Sequence, residues 1–238
     1  MTTVKQTKPD LEGVKAVCLD LDDTLWPVGP VIQRAERTLH AWLTERYPDA
    51  AALYSVEEIR ELRASVAADY PGKQHDLSLL RRATYARLGQ RAGCPGDFAE
   101  QAFDVFQAAR NDVDLYDDVL PALERLAAAG PLYALTNGNA DVETIGLGRF
   151  FTGVFRASEL GAAKPDRVVF EAFCARTGFD ASAVLHAGDD PWHDVAAARN
   201  AGMRAVWVNR ARRSWPGDLH EPAYDVPGLE ALVELILT

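Results

Sequence analysis

Acidic residues crowd the end of one apolar run. In VCLDLDDTLWP, Val17 to Pro27, the carboxylates of Asp20, Asp22 and Asp23 follow directly on residues that read as buried strand. Carboxylates repel one another, and one taken out of water without a partner costs several kcal/mol or takes up a proton. Such a cluster calls for a cation, a proton-transfer task, or both. Three further segments place polar residues at the ends of apolar runs: Thr136-Asn137-Gly138, Lys164-Pro165, and Gly188-Asp189-Asp190 with Asp194 beyond it.

Each has a plain reading beside the chemical one. Asp20 and Asp22, two apart, share one face if the strand runs through them, yet a solvated strand end or a helix N-cap would also use them. A calcium-binding loop between helices is excluded: counted from Asp20, its glycine position is Leu25 and its closing glutamate position is Val31. Thr136 suits any strand, but followed by Asn-Gly it ends one in a turn whose N–H groups can hold an anion. Lys164 is the only lysine after Lys73 in a chain that prefers arginine. A compact ammonium there would balance both carboxylate and phosphate charge. Asp189 or Asp190 would cap the following helix, a reading that leaves the other two acids of that segment unexplained.

Positioning these groups is the task of the surrounding elements. Val14–Leu21, Pro131–Thr136, Ala183–Ala187 and Ala205–Val208 are short apolar runs bounded by Gly, Asp or Asn, with a weaker one at Gly153–Arg156. Continuous apolar runs suit parallel strands covered on both faces. Helical spacing recurs between them at Asp118–Ala129, Arg167–Thr177 and His193–Ala201, each stopping at a glycine. The alternation predicts an α/β fold, a doubly wound, Rossmann-like parallel sheet. Ligands of such sheets bind beyond the carboxyl ends of the strands, so the four polar segments meet at one edge.

The stretch after the first strand is too long for one crossover and carries no strand signal. Pro30–Arg46, Val56–Ala68, Asp76–Ala92 and Phe98–Arg110 all read as helix. The economical division is a sheet core of residues 1–27 and 112–238 with an all-helical insertion at 28–111.

Bulk properties narrow the partners. Acidic residues number 35 against 25 basic, a formal charge of −10, which disfavours nucleic acid and anionic membrane as partners. Cys18, Cys94 and Cys174 are far apart with no metal-binding spacing, as expected of a reducing cytoplasm. Met1–Asp10 is polar, without the apolar core of a signal peptide.

Taken together, Asp20-Leu21-Asp22-Asp23-Thr24, Thr136-Asn137-Gly138, Lys164-Pro165 and Gly188-Asp189-Asp190 through Asp194 resemble the four signature motifs of the haloacid dehalogenase superfamily, in that superfamily's order. The helical insertion falls where one kind of member carries a cap. The resemblance implies a phosphoric monoester phosphatase that uses Mg2+ and acts on a small phosphorylated metabolite, with no obligate protein partner. It implies Asp20 as nucleophile and Asp22 as acid and base, with Thr136, Asn137, Gly138 and Lys164 on the phosphate. Asp20, the backbone carbonyl of Asp22, and Asp189 would hold the metal. Asp190 and Asp194 would stand behind them, Asp194 orienting Lys164 or a metal-bound water. Many members carry Ser or Thr at position 190, so this Asp is a second candidate to reach the ion.

Dehalogenation uses the same nucleophile but has no oxyanion leaving group to protonate, so Asp22 favours phosphoryl chemistry. A phosphatase of another sugar phosphate or nucleotide, a phosphomutase and a non-catalytic interaction module are the remaining alternatives. DLDDTLWPVGPVIQRAE, LTNGNADVETIGLGRFF, AAKPD and HAGDDPWHDVAAARNAGM are similar, at a finer level, to bacterial phosphatases of the riboflavin pathway. Those act on the phosphoribitylamino-uracil intermediate and on flavin mononucleotide. His75, Arg81 and Arg82 are the cap residues offered to substrate, with a solvated helix face as the other reading of each, and Trp26 is placed where cap and core would meet. Arg210, Arg212 and Arg213 read as a solvated loop.

Overall fold

In chain order the secondary structure runs β1 (Ala16–Leu19), α1 (Val28–Arg46), α2 (Pro48–Leu53), α3 (Val56–Ala68), α4 (Leu77–Ala92), α5 (Phe98–Arg110), α6 (Val119–Ala129) and β2 (Leu132–Thr136). There follow α7 (Val142–Ile145), β3 (Gly153–Arg156), α8 (Ala157–Leu160), α9 (Arg167–Thr177), β4 (Val184–Gly188), a π-helical turn (Pro191–Ala196), α10 (Ala197–Asn200), β5 (Arg204–Val208), β6 (Asp225–Val226) and α11 (Leu229–Leu237). These elements come from a computed structural model that describes residues 11–219 and 224–238; Met1–Asp10 lies outside the described residues. The chain divides into a sheet unit (1–26, 115–138 and 147–238) and a helical unit (27–114 and 139–146).

All six strands of the sheet unit are parallel, in the order β3-β2-β1-β4-β5-β6. β1, β2 and β4 are buried along their whole length, as strands covered on both faces must be. From β1 the chain winds outward to β3 on one side; from β4 it winds outward to β6 on the other. The reversal between β1 and β4 opens a crevice at their carboxyl ends, the usual ligand position in such sheets. Beneath it, Tyr133, Phe170, Phe173, Val195 and Trp207 form the core on one sheet face.

The structure redraws several sequence boundaries. The first strand, expected over Val14–Leu21, stops at Leu19, because the N–H groups of Thr24 and Leu25 turn back to Leu21 O and Asp23 takes a positive φ of 59°. Asp20 and Asp22 therefore do not share a strand face. The helix expected at His193 begins two residues earlier with a wide turn in which Asp190 O accepts from both Asp194 and Val195. The sequence reading omits β6 and α11. The apolar face of α11 is buried at Leu229, Leu232 and Val233, and Asp118 accepts the Leu229 N–H at 2.7 Å.

The helical unit packs α1, α3, α4 and α5 around Leu39, Leu43, Val66, Leu88, Phe98 and Phe106. Its α3 starts with a capping box, Ser55 and Glu58 each accepting the other's backbone N–H. Gly89 of α4 admits the Phe98 ring: a Cβ there would sit 2.5 Å from that ring. Asn139–Gly146, which the sequence division leaves with the sheet, belongs to this unit. Asn139 donates to Ser78 and Gln107, and Asn111 accepts the Asp141 N–H. Among the described residues no helix is long and apolar enough to cross a membrane.

Candidate active site

Asp20 stands one residue past β1. It is buried, and its N–H extends the sheet ladder to Ala187 O at 2.9 Å. Lys164 reaches it from the loop before α9: Nζ donates to Asp20 Oδ1 at 2.6 Å, Asp194 Oδ1 at 2.5 Å and Leu135 O at 2.9 Å. Three acceptors match the three protons of an ammonium, so this lysine is fully committed. Thr24 Oγ1 donates to Asp20 Oδ2 at 3.4 Å.

Asn137 fixes the lysine from behind. Its amide donates to Lys164 O and accepts the Lys164 N–H, both at 2.8 Å. Thr136 Oγ1 accepts the Gly138 N–H at 2.9 Å. The turn thus uses on itself groups that the sequence offers to an anion, while the Thr136 hydroxyl proton stays available. Asp22 lies in the turn after the strand, where its Oδ1 accepts from Trp26 Nε1 at 2.8 Å. Trp26 is itself fully buried, anchoring that turn.

Asp194 is the second centre of the network. Its Oδ1 accepts from Lys164 and faces His186 Nε2 at 3.1 Å, and its Oδ2 accepts the Asp190 N–H at 3.1 Å. The side chain fits because residue 188 is glycine: a Cβ there would lie 2.3 Å from the carboxylate. His186 escaped the sequence reading, hidden inside the apolar run AVLHA. Its signal was available, since a histidine in a fully buried strand needs a polar partner.

Asp190 resolves to a cap. Its Oδ1 accepts the N–H groups of Trp192 and His193 at 2.8 Å and lies 2.9 Å from His193 Nδ1. Asp189 does not share that cap. Its carbonyl accepts from Trp207 Nε1 and Arg213, and its carboxylate lies 3.3 Å from Arg213 Nη2. The arginines at 210 and 213 are therefore not merely solvated. Arg210 donates to Thr24 O and to both oxygens of Asp118, with its guanidinium over Tyr116.

Charge is unevenly balanced across the centre. Burial opposes the charged form of Asp194, yet Lys164 and His186 outweigh it and hold its pKa below the usual carboxylate range. Burial likewise opposes the Lys164 ammonium, but Asp194 and Asp20 raise its pKa. Asp20 is pushed upward by burial, which Lys164 only partly offsets and Asp194 reinforces. Asp189 is pushed up to about 7 by burial, with Asp194 and Asp23 adding repulsion against Arg213. Burial holds His186 below its usual value.

Asp20, Asp189 and Asp194 each bring an oxygen within 4.8 Å of the others. Hard oxygen donors under mutual repulsion fit a divalent ion such as magnesium. Asp194 already faces three donors, which leaves Asp20 and Asp189 as the carboxylates better placed to ligate.

In the helical unit, Arg82 pairs with Glu100 at 2.9 Å and lies over the Phe103 ring. Arg81 is buried over Phe106, and His75 is half-buried in the turn before α4.

A sequence profile described as a haloacid dehalogenase-like hydrolase matches residues 14–202. Over 237 residues the chain is 31% identical to the 5-amino-6-(5-phospho-D-ribitylamino)uracil phosphatase of Escherichia coli (strain K12), covering 95% of this chain and 98% of that one. It is 26% identical over 236 residues to the (S)-2-haloacid dehalogenase of Pseudomonas sp. (strain YL), covering 96% and 97%. A solved structure described as a 2-haloacid dehalogenase, from Pseudomonas syringae pv. Tomato DC3000, superposes with a TM-score of 0.88 at 38% identity, covering 94% and 98%.

Proposed function

Because this chain belongs to the haloacid dehalogenase-like hydrolase family, we propose that it is a Mg2+-dependent phosphatase of small phosphorylated metabolites that forms an aspartyl-phosphate on Asp20. The observation that carries the reading is Asp22, a carboxylate held by Trp26 two residues past the buried Asp20. Release of an alkoxide needs a proton donor at that place, whereas release of a halide does not.

In this reaction a carboxylate oxygen of Asp20 attacks phosphorus in line. Asp22 gives its proton to the departing oxygen, then takes one from the water that attacks the acyl-phosphate. Lys164 keeps Asp20 in position and balances negative charge on the transferring group, while the Thr136 hydroxyl donates to a phosphoryl oxygen. Asn137 fixes the Lys164 backbone, and Asp194 fixes its ammonium. Asp20, the Asp22 carbonyl and Asp189 would hold the magnesium ion, which supplies positive charge against the phosphate oxygens. In the same reading the helical unit is the cap that selects substrate.

The 31% identity to the Escherichia coli enzyme supports a phosphoribitylamino-uracil phosphate as substrate, with flavin mononucleotide beside it. A reducing, cytoplasmic setting accords with the free thiols of Cys18, Cys94 and Cys174. The likeness to the Pseudomonas syringae structure supports a second reading, hydrolysis of a 2-haloacid by the same Asp20.

One assay separates the two. Release of phosphate from p-nitrophenyl phosphate, flavin mononucleotide and a panel of phosphorylated metabolites is measured with magnesium and with EDTA, beside halide release from 2-chloropropionate. Phosphatase activity lost in EDTA and in Asp20→Asn is the expected result. Halide release as the dominant activity, or phosphatase activity surviving both changes, overturns it.

A further inference from the structure

Within the helical unit, α1, α3 and α4 enclose a narrow pocket lined by Glu36, Arg60, Arg63, Arg81, Thr84 and Tyr85 among apolar side chains. About 10 Å3 of its interior admits the centre of a water-sized guest, and the pocket is open to solvent. Positive charge exceeds negative in this lining. Glu36 is already matched by Arg60, which donates to it through both Nε and Nη2, and Glu57 adds an exposed carboxylate 3.7 Å from the same arginine. Neither Arg63 nor Arg81 pairs with a carboxylate among the described residues.

Arg81 is the unusual member. It is 7% exposed, its guanidinium lies 3.5 Å from the Phe106 ring centroid, and its Nε finds no acceptor. Glu36, already held by Arg60, is the carboxylate that acts on it, and a buried cation so weakly matched is costly, a cost that stacking on a ring offsets only in part. The buried Tyr85 hydroxyl lies beside the same guanidinium, and its proton has no acceptor either. Thr84 does not compete as a donor, because its hydroxyl donates to Leu80 O at 2.7 Å. Two unused donors and an unbalanced positive charge thus meet in a space for one small acceptor.

We propose that this pocket binds a compact monoanion, a halide ion or the carboxylate end of a small acid, on Arg81 Nε and the Tyr85 hydroxyl, with Arg63 as the second positive charge. A tetrahedral, doubly charged oxyanion such as phosphate needs more donors than Arg81 Nε and one hydroxyl supply and would bind weakly. Its residues all lie in the helical unit, and none belongs to the Asp20 network.

The test uses the intact protein with bromide, formate and inorganic phosphate as probes at matched ionic strength. Bromide and formate should each raise the thermal midpoint by ~2–5 °C at saturation, with phosphate much weaker. Anomalous diffraction from bromide-soaked crystals should place one ion beside Arg81 Nε. Arg81→Gln should abolish the shift. Should that variant fold poorly, the half-exposed Arg63→Gln should still weaken bromide at least about tenfold, the loss of one charge contact. A pocket holding only water at saturating bromide, equal stabilisation by phosphate, or an unchanged bromide response in Arg63→Gln overturns the proposal.

Discussion

Lys164 Nζ donates to Asp20 Oδ1 at 2.6 Å across a separation of 144 residues. Both groups are buried, so each is tolerable chiefly because of the other and of Asp194. Lys164→Met leaves two carboxylates packed together without a cation. It should lower unfolding free energy by about 3–5 kcal/mol in urea titrations, the usual range for breaking a buried ion pair from one side. A loss near zero would show that the carboxylates take up protons or water at little cost.

Gly188→Ala tests the space under Asp194. The new Cβ would lie 2.3 Å from the carboxylate, so the side chain must leave Lys164 or the backbone must shift. The expected destabilisation is about 1–3 kcal/mol from overpacking, with a larger proportional loss of turnover. A crystal structure showing Asp194 unmoved would contradict this.

His186→Leu removes a buried donor from Asp194 while keeping the strand apolar. Asp194 retains Lys164 and the Asp190 N–H, so the effect should be moderate, about 1–3 kcal/mol in thermal or urea unfolding. Phe170, whose ring meets the imidazole edge-on, should tolerate the new side chain.

Asp189 carries a pH signature. With its pKa pushed up to about 7 in the folded chain against about 3.9 unfolded, the folded state holds the extra proton between those values. Its contribution to stability without metal therefore declines as pH rises through that window. A magnesium ion held by Asp189, as proposed above, would have to displace that proton, so its affinity should climb by up to about tenfold per pH unit below 7 and level off above it. Calorimetry in buffers of different ionisation enthalpy should register proton release at pH 6 and little at pH 8. Equal release at both would remove Asp189 from the ion.

Asp22→Asn separates the two chemical steps by leaving group. p-Nitrophenolate departs without help, so phosphorylation of Asp20 by that ester should be slowed less than phosphorylation by an alkyl phosphate. For alkyl esters a loss of ~10²–10⁴-fold is expected, the range of general acid catalysis. Single-turnover kinetics on both ester types would measure it. Equal losses would assign Asp22 a role other than proton donor.

The chain's own order of residues determined much of this. Runs such as VKAVCLDL and PLYALT suit covered strands and contain β1 and β2, and α9 runs over Arg167–Thr177 as its spacing predicts. The parallel alternation then obliges Asp20, Thr136, Lys164 and Asp189 to approach one edge, because strand ends in such a sheet share a side. Local patterning carried that information, and so it was legible.

What the tertiary structure decided were the pairings. That Asp190 caps a helix while Asp189 turns toward Arg213 depends on a difference of one residue in a tight turn. His186 as a partner of Asp194, Arg210 clasping Asp118, and Asn139–Gly146 joining the helical unit arise between segments whose separation in sequence says nothing of their distance. A carboxylate's role is set by which donors surround it, and here the donors come from strands and loops that only the folded sheet brings within hydrogen-bonding distance.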